Sequence, residues 1–170
     1  MYTISSQPFS LSILNRIVSE QLKIKLSEEI KENIINCRKY LDKKITTSLD
    51  PIYGINTGFG SLCDVKIDSI NLVKLQENLV RSHACGTGDL VPESIVKMML
   101  LLKIKSLSFG YSGVQLETVE RLVAFYNHDI LPIVYTQGSL GASGDLAPLA
   151  HLALPLLGEG MVCYNGTKLP

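Results

Sequence analysis

Apolar residues recur every three or four positions along most of this chain, and that spacing constrains the fold more than any other feature. Within residues 27–44, Ile30, Ile34, Cys37 and Leu41 fall on one helical face. The same spacing predicts further helices at residues 10–20, 69–84, 93–109, 114–128 and 145–157. Extended segments are short and marginal. The sequence therefore predicts an all-α class, a multi-helix domain with a few short strands and functional loops.

Glycine and proline mark the breaks between these helices. Residues 46–66 contain Pro51 and glycines at 54, 58 and 60, which predicts a loop. Asn165 followed by Gly166 predicts a hairpin turn between two short extended pieces. The helix at residues 93–109 is apolar around much of its circumference and is expected to lie centrally. With 170 residues, the chain is expected to form one domain over 1–170 with a substantial core.

The composition of the chain argues against several classes of binding partner and site. Sixteen basic residues balance sixteen acidic ones, so neither nucleic acid nor a membrane surface is expected as a partner. The four cysteines are widely spaced, which predicts reduced thiols in a cytoplasmic protein and no metal site. No secretory signal is visible at the N-terminus, and the apolar run at residues 98–102 is too short to span a bilayer.

The most unusual segment covers residues 138–151 and reads GSLGASGDLAPLAH. Three glycines recur every third position around Ala142 and Ser143, and Asp145 then stands where a helix N-cap is expected. Pro148 is tolerated in the first turn of the following helix, because the missing N–H would be unpaired there in any case. A flexible loop is therefore predicted to lead onto the positive end of a helix, where negative charge is stabilised.

Common motifs do not account for this segment. It lacks the lysine of a phosphate-binding P-loop, and an aspartate at the helix start would repel a phosphate. The second glycine comes one position too early for the nucleophile elbow of hydrolases. A Ser143–His151 hydrolase pair would need a third orienting group. A structural turn capped by Asp145 remains the plain alternative.

The chemistry of Ala142, Ser143 and Gly144 offers a sharper hypothesis. In a tightly bent loop the Gly144 nitrogen can attack the Ala142 carbonyl carbon, since glycine has no side chain to obstruct the approach. Loss of two waters, one including the Ser143 hydroxyl, would leave an electrophilic ring. This tripeptide and its surroundings resemble the signature of the aromatic amino-acid ammonia-lyases. In that family Ala-Ser-Gly becomes the prosthetic group 4-methylidene-imidazol-5-one (MIO).

Two further segments carry the resemblance. Residues 53–60, YGINTGFG, are similar to the family segment whose tyrosine is a catalytic acid/base, which assigns that role to Tyr53. Residues 75–86 resemble the helix that presents the substrate selector, with Ser82 and His83 as in the histidine ammonia-lyase branch. Read without the family, Tyr53 and His83 would more simply be packing residues. The motifs follow one another in the family's order over residues 53–160.

The resemblance implies a reaction and a set of site residues. The substrate would be L-histidine, and non-oxidative elimination of ammonia would give trans-urocanate in histidine catabolism. Tyr53 would remove the β-proton, and His83 would hydrogen-bond the substrate imidazole. The MIO group from Ala142, Ser143 and Gly144 would be the electrophile, with no external cofactor, and Asp145 would support its formation. His128 and His151 are expected to be structural.

The resemblance also implies a larger protein. Family members continue into a long helical bundle and form homo-oligomers, generally tetramers with shared sites, so this chain corresponds to their N-terminal portion and is expected to be inactive alone. It departs from the family's usual residues at Lys105, Phe109 and Gln115. Two alternatives stay open: another MIO enzyme, such as a tyrosine or phenylalanine lyase or an aminomutase, and an inert fragment with uncyclised Ala-Ser-Gly.

Overall fold

A computed structural model describes residues 1–48, 50–138 and 146–170. Helices dominate it, which confirms the predicted all-α class. The α-helices are α1 (Leu11–Ser19), α2 (Glu28–Thr47), α3 (Leu72–His83), α4 (Glu93–Ser108), α5 (Leu116–Asn127) and α6 (Leu146–Ala153). The short strands are β1 (Tyr2–Ile4), β2 (Ile24–Leu26), β3 (Thr87–Leu90), β4 (Leu131–Pro132), β5 (Tyr135–Gln137), β6 (Val162–Tyr164) and β7 (Thr167–Leu169). Three-residue or four-residue 3₁₀ turns cover Gly60–Leu62, Ser69–Asn71 and Leu154–Leu157.

The contacts group the chain into two compact units. Unit 1 contains Met1–Leu41, Pro92–Leu131 and Val162–Pro170, and unit 2 contains Asp42–Val91 and Pro132–Met161. The expectation of one domain over residues 1–170 stays a prediction. None of the described helices combines the length and the apolar character needed to cross a membrane.

Unit 1 is built on α4, which packs against α5. Val96, Leu100, Leu101 and Ile104 of α4 are almost completely buried, as the apolar circumference of this helix predicts. Strands β1 and β2 pair in parallel, with Ile4 opposite Leu26, and β2 contacts α5. The Asn127 side chain, at the end of α5, accepts from the Ile24 N–H and donates to the Ile24 carbonyl, both at 2.8 Å. It therefore continues the hydrogen bonding of the strand pair.

A hairpin and a buried lysine complete unit 1. Strands β6 and β7 pair antiparallel around Asn165 and Gly166, whose φ angles of 50° and 73° give the predicted tight turn. Lys105 is only 5% exposed. Its Nζ donates to the Ser5 carbonyl at 2.7 Å and lies 4.3 Å from the Phe109 ring centroid. Burial lowers the pKa of Lys105 from its usual value.

Unit 2 places α3 against α6 and pairs β3 with β5 antiparallel. This strand pair was not predicted. The predicted helix at 145–157 is observed as α6 followed by a 3₁₀ turn, and Gly158 ends the turn at φ 74°. The change of helix type has a local cause, because Pro155 has no N–H to donate to the carbonyl four residues earlier.

Candidate active site

The structure brings Tyr53 and His83 to the same part of unit 2, where each ring contacts the phenyl ring of Phe59. The Phe59 ring centroid lies 5.7 Å from that of Tyr53 and 5.5 Å from that of His83. The Phe59 and His83 rings meet edge to face, a favourable geometry for aromatic pairs. Tyr53 is 61% exposed, so its phenol is open to a ligand. Phe59 belongs to the YGINTGFG segment, but its contact with both of these rings is not evident from the sequence.

The loop that carries Tyr53 is held in shape by its own hydrogen bonds. The buried Asn56 accepts from the Ile52 N–H through its side chain at 2.6 Å. Thr57, fully buried, accepts from the Gly54 N–H at 3.2 Å and donates to the Gly58 carbonyl at 3.0 Å. The polar residues of this loop therefore replace the pairing that a helix or strand would provide.

Gly54 has both a conformational and a steric reason to be glycine. Its φ is +69°, a left-handed conformation that is strained for residues with a side chain. A Cβ at this position would lie 2.9 Å from Cε1 of Phe59. The residue next to Tyr53 thus allows the Phe59 ring to sit directly against the loop backbone.

A glutamine of α3 joins that helix to the Tyr53 loop. The Gln76 Nε2 group donates to the Gly54 carbonyl at 3.1 Å and to the Ile55 carbonyl at 2.9 Å. Gln76 stands in the segment that resembles the selector helix, but the sequence did not indicate this contact. A side-chain amide that reaches two backbone carbonyls 21 and 22 residues away has no local sequence pattern.

The hydrogen bonds of His83 define its protonation pattern. Its Nδ1 lies 2.6 Å from the Leu79 carbonyl oxygen, one turn back along α3. A carbonyl can only accept, so Nδ1 carries the proton in this contact and the neutral ring has an acceptor lone pair on Nε2. Nε2 has no hydrogen-bond partner within the described ranges. Ser82 supports the same arrangement, since its hydroxyl donates to the Leu79 carbonyl at 3.1 Å.

Two contacts fix the C-terminal part of α3. Arg81 makes a salt bridge to Glu159 at 2.6 Å and another to Glu77 at 3.1 Å. The hydrogen bond to Glu159 raises the pKa of Arg81, and the same contact lowers the pKa of Glu159. Because the side chains of both pairs are more than a third exposed to solvent, these salt bridges orient α3 more than they stabilise it.

His151 of α6 makes a second connection to the segment after His83. Its Nε2 accepts from the Gly86 N–H at 2.9 Å, and its ring lies edge to face on Tyr135 with centroids 5.1 Å apart. Burial lowers the pKa of His151 below its ordinary 6.5 and so favours the neutral ring that this acceptor contact needs. His128, by contrast, ends α5 in unit 1 as its C-cap.

Ala142, Ser143, Gly144 and Asp145 lie outside the described residues. The residues on either side of this segment lie close together: a Cβ on Gly138 would be 3.2 Å from Ala147 Cβ and 3.4 Å from Pro148 Cδ. Gly138 follows β5 directly, and Ala147 and Pro148 belong to the first turn of α6. No cluster of His, Cys, Asp or Glu able to hold a metal occurs in the part of the chain that the structure describes.

Comparison with known proteins agrees with the family resemblance of the sequence motifs. The model of the family "Aromatic amino acid lyase" matches residues 9–170. The chain is 51% identical over 162 residues to histidine ammonia-lyase of Legionella pneumophila (strain Paris), a match that covers 94% of this chain and 32% of the relative. The chain therefore spans about a third of the length of that relative.

Solved structures of such proteins have the same fold. Histidine ammonia-lyase from Trypanosoma cruzi matches with a TM-score of 0.83 and 33% identity over 99% of this chain and 32% of that one. Phenylalanine aminomutase of Pantoea agglomerans matches with a TM-score of 0.91 and 28% identity, again over 99% of this chain and 32% of that chain. The backbone of these residues is therefore shared by lyases and aminomutases.

Proposed function

Because this chain belongs to the aromatic amino acid lyase family, we propose that it forms part of an enzyme that eliminates ammonia from L-histidine to give trans-urocanate. The products account for all atoms of histidine: the amino group leaves as ammonia, one β-proton is removed, and a carbon–carbon double bond forms. In this proposal His83 binds the imidazole of the substrate, Tyr53 is the base, and residues 142–144 form the electrophile.

The observation that carries the substrate assignment is the orientation of His83. With Nδ1 directed at the Leu79 carbonyl, the neutral ring has its acceptor lone pair on Nε2, on a half-buried side chain of α3. An imidazole substrate has an N–H to donate to this lone pair, whereas a phenyl ring has none. A phenyl substrate would leave the acceptor unpaired, and sites built around a hydrogen bond discriminate strongly against ligands that lack it.

Tyr53 is the proposed base. It is an exposed ring held by a loop with satisfied internal hydrogen bonds, and it shares the contact with Phe59 that also orients His83. We expect a substrate whose imidazole is bound at His83 to extend its β-carbon past the Phe59 ring towards Tyr53. The Tyr53 oxygen would then accept the β-proton, and the fixed loop would keep that oxygen in place.

Ala142, Ser143 and Gly144 are proposed to form the MIO group, which supplies an electrophile that no standard side chain provides. The close approach of Gly138 to the first turn of α6 supports this, because it brings together the two ends of the segment. Asp145 is proposed to support cyclisation from the start of α6, where the positive end of the helix favours negative charge. No external cofactor is proposed.

The remaining parts of the site are proposed to come from elsewhere. The chain spans about a third of its relatives, and Tyr53 is exposed in the structure described. A complete protein would cover it with further helices and with neighbouring subunits of a homo-oligomer, a tetramer by resemblance to the family. We therefore expect no turnover from the 170-residue chain alone. Strained backbone persists only where surrounding structure holds it, so Ala-Ser-Gly should remain uncyclised there.

The test compares the full-length protein with the isolated chain. Each is incubated with L-histidine while urocanate absorbance is followed, and each is weighed by intact-mass spectrometry. We expect urocanate and a mass lower by two waters for the full-length protein, and neither for the chain. Full-length protein that makes no urocanate would refute the proposal, and turnover by the chain would refute the need for further covering structure.

An aminomutase is the second candidate, favoured by the close structural match to phenylalanine aminomutase. It would move the amino group to the β-carbon instead of releasing ammonia. The same incubation separates the two, because an aminomutase accumulates a β-amino acid while a lyase releases one ammonia for each urocanate formed.

A further inference from the structure

We propose that Gln76 is a positioning residue, one that fixes the Tyr53 loop on α3 in register with His83. This inference rests on the proposed function, in which Tyr53 is the base and His83 holds the imidazole. Gln76 itself need not touch the substrate. Three features of unit 2 support this role. The loop satisfies its own N–H groups internally, Gln76 has two N–H donors, and Gln76 lies two helical turns before His83.

The loop is well defined internally, but its own bonds do not attach it to α3. The Gly54, Ile55 and Asn56 N–H groups are all donated within residues 52–57, and the Asn56 and Thr57 side chains complete that pairing. The Gly54 and Ile55 carbonyls accept no hydrogen bond from within residues 52–57, all of which the structure describes. The side-chain amide of Gln76 donates a hydrogen bond to each of them.

The two hydrogen bonds from the Gln76 amide restrain the orientation of the loop as well as its distance from α3. The Nε2 group carries two hydrogens in a fixed plane, and each meets one of two consecutive carbonyls, at 3.1 and 2.9 Å. One bond alone would allow the loop to rotate about it. The pair fixes both the position and the orientation of the backbone next to Tyr53.

The spacing along α3 connects this contact to His83. Gln76 precedes His83 by seven residues, about two helical turns, so the two side chains leave the same face roughly 10 Å apart along the axis. Phe59 bridges that interval, since its ring meets both Tyr53 and His83. A shift of the loop along α3 would therefore change the distance between base and imidazole site while α3 itself stays intact.

Gln76 contributes hydrogen bonds and not core packing within unit 2. Its side chain lies at the surface, not in the core, so replacing it removes little buried area. A substitution there removes the two hydrogen bonds and leaves the core packing of unit 2 in place, so we expect the melting temperature to change little. An effect on catalysis without an effect on stability is therefore the distinguishing result.

The experiment uses the full-length protein and three variants. Gln76→Glu keeps the shape of the side chain but removes the donors, Gln76→Lys restores donors, and Lys74→Gln changes an exposed residue of the same helix as the matched control. We expect Gln76→Glu to lower kcat by roughly 10- to 100-fold with KM changed less than about threefold, because misplacement of a catalytic group acts mainly on the transition state. Gln76→Lys restores donors without their planar arrangement and should recover only part of this loss, and Lys74→Gln should match the wild type.

Hydrogen exchange supplies a readout independent of activity. In Gln76→Glu the amides of residues 52–58 should exchange faster, while those of α3 keep their wild-type rates. Wild-type protein that makes no urocanate would refute the proposed function, and the catalytic role of Gln76 with it. An active wild type with full kcat in Gln76→Glu would overturn the Gln76 inference alone. So would a Gln76→Glu protein that melts well below the wild type, because its loss would then be structural.

Discussion

Replacing Gly54 with alanine should destabilise unit 2 through one identifiable contact. The new Cβ would lie 2.9 Å from Cε1 of Phe59, about 0.7 Å inside an ordinary carbon–carbon contact. Gly60→Ala is the matched control, since Gly60 also has a left-handed φ, +58°, but nothing lies within 4 Å of its Cβ position.

The loss of stability in each variant has a backbone contribution and a steric contribution. In both variants the left-handed backbone destabilises the folded state by about 1–2 kcal/mol once the residue is alanine. Gly54→Ala loses about 1–3 kcal/mol more, the usual cost of overpacking, because the Phe59 ring must move. We therefore expect the free energy of unfolding to fall by about 2–5 kcal/mol in Gly54→Ala and by about 1–2 kcal/mol in Gly60→Ala.

Urea unfolding followed by far-ultraviolet circular dichroism measures both values, which is convenient because the chain has no tryptophan. A double-mutant cycle with Phe59→Leu isolates the contact, since the smaller side chain removes the ring edge that Cβ would meet. The reasoning would be refuted by equal losses in the two alanine variants, or by a Gly54→Ala cost that is the same with and without the Phe59 ring.

Three further predictions concern individual side chains. Tyr53→Phe in the full-length protein should keep the fold and lose most turnover, because only the oxygen that accepts the proton is deleted; retained activity would show that another base acts. His83→Leu should lose histidine turnover, since its acceptor for the imidazole N–H is gone, and gain some activity on phenylalanine; unchanged histidine kinetics would remove His83 from the site. Burial lowers the pKa of His151 below 6.5, so the unfolded chain binds the proton first as pH falls, and the free energy of unfolding should decline below about pH 6.5. His151→Gln should flatten this decline, as a stability series across pH 5–8 would reveal, and an identical slope in the variant would contradict the assignment.

Local sequence determined the helices and the tight turns. The first helix begins after Ser10, whose side chain accepts from the Ile13 N–H, and the Asn165–Gly166 turn has the left-handed angles that its sequence favours. The predicted helix positions are confirmed to within a few residues. Such features depend on residues only a few positions apart, so the information that specifies them is contiguous in the chain.

Motifs determined the family and the candidate residues, but tertiary structure decided how they are arranged. Sequence alone did not indicate that β3 would pair with β5, that Gln76 would bond to Gly54 and Ile55, or that His151 would accept from Gly86, 65 residues away. Each contact joins a polar group to backbone that only packing brings within reach. Several partners satisfy the same polar group equally well, so its local sequence cannot select among them. The proton position on His83 was decided in the same way, by a carbonyl that α3 places beside Nδ1.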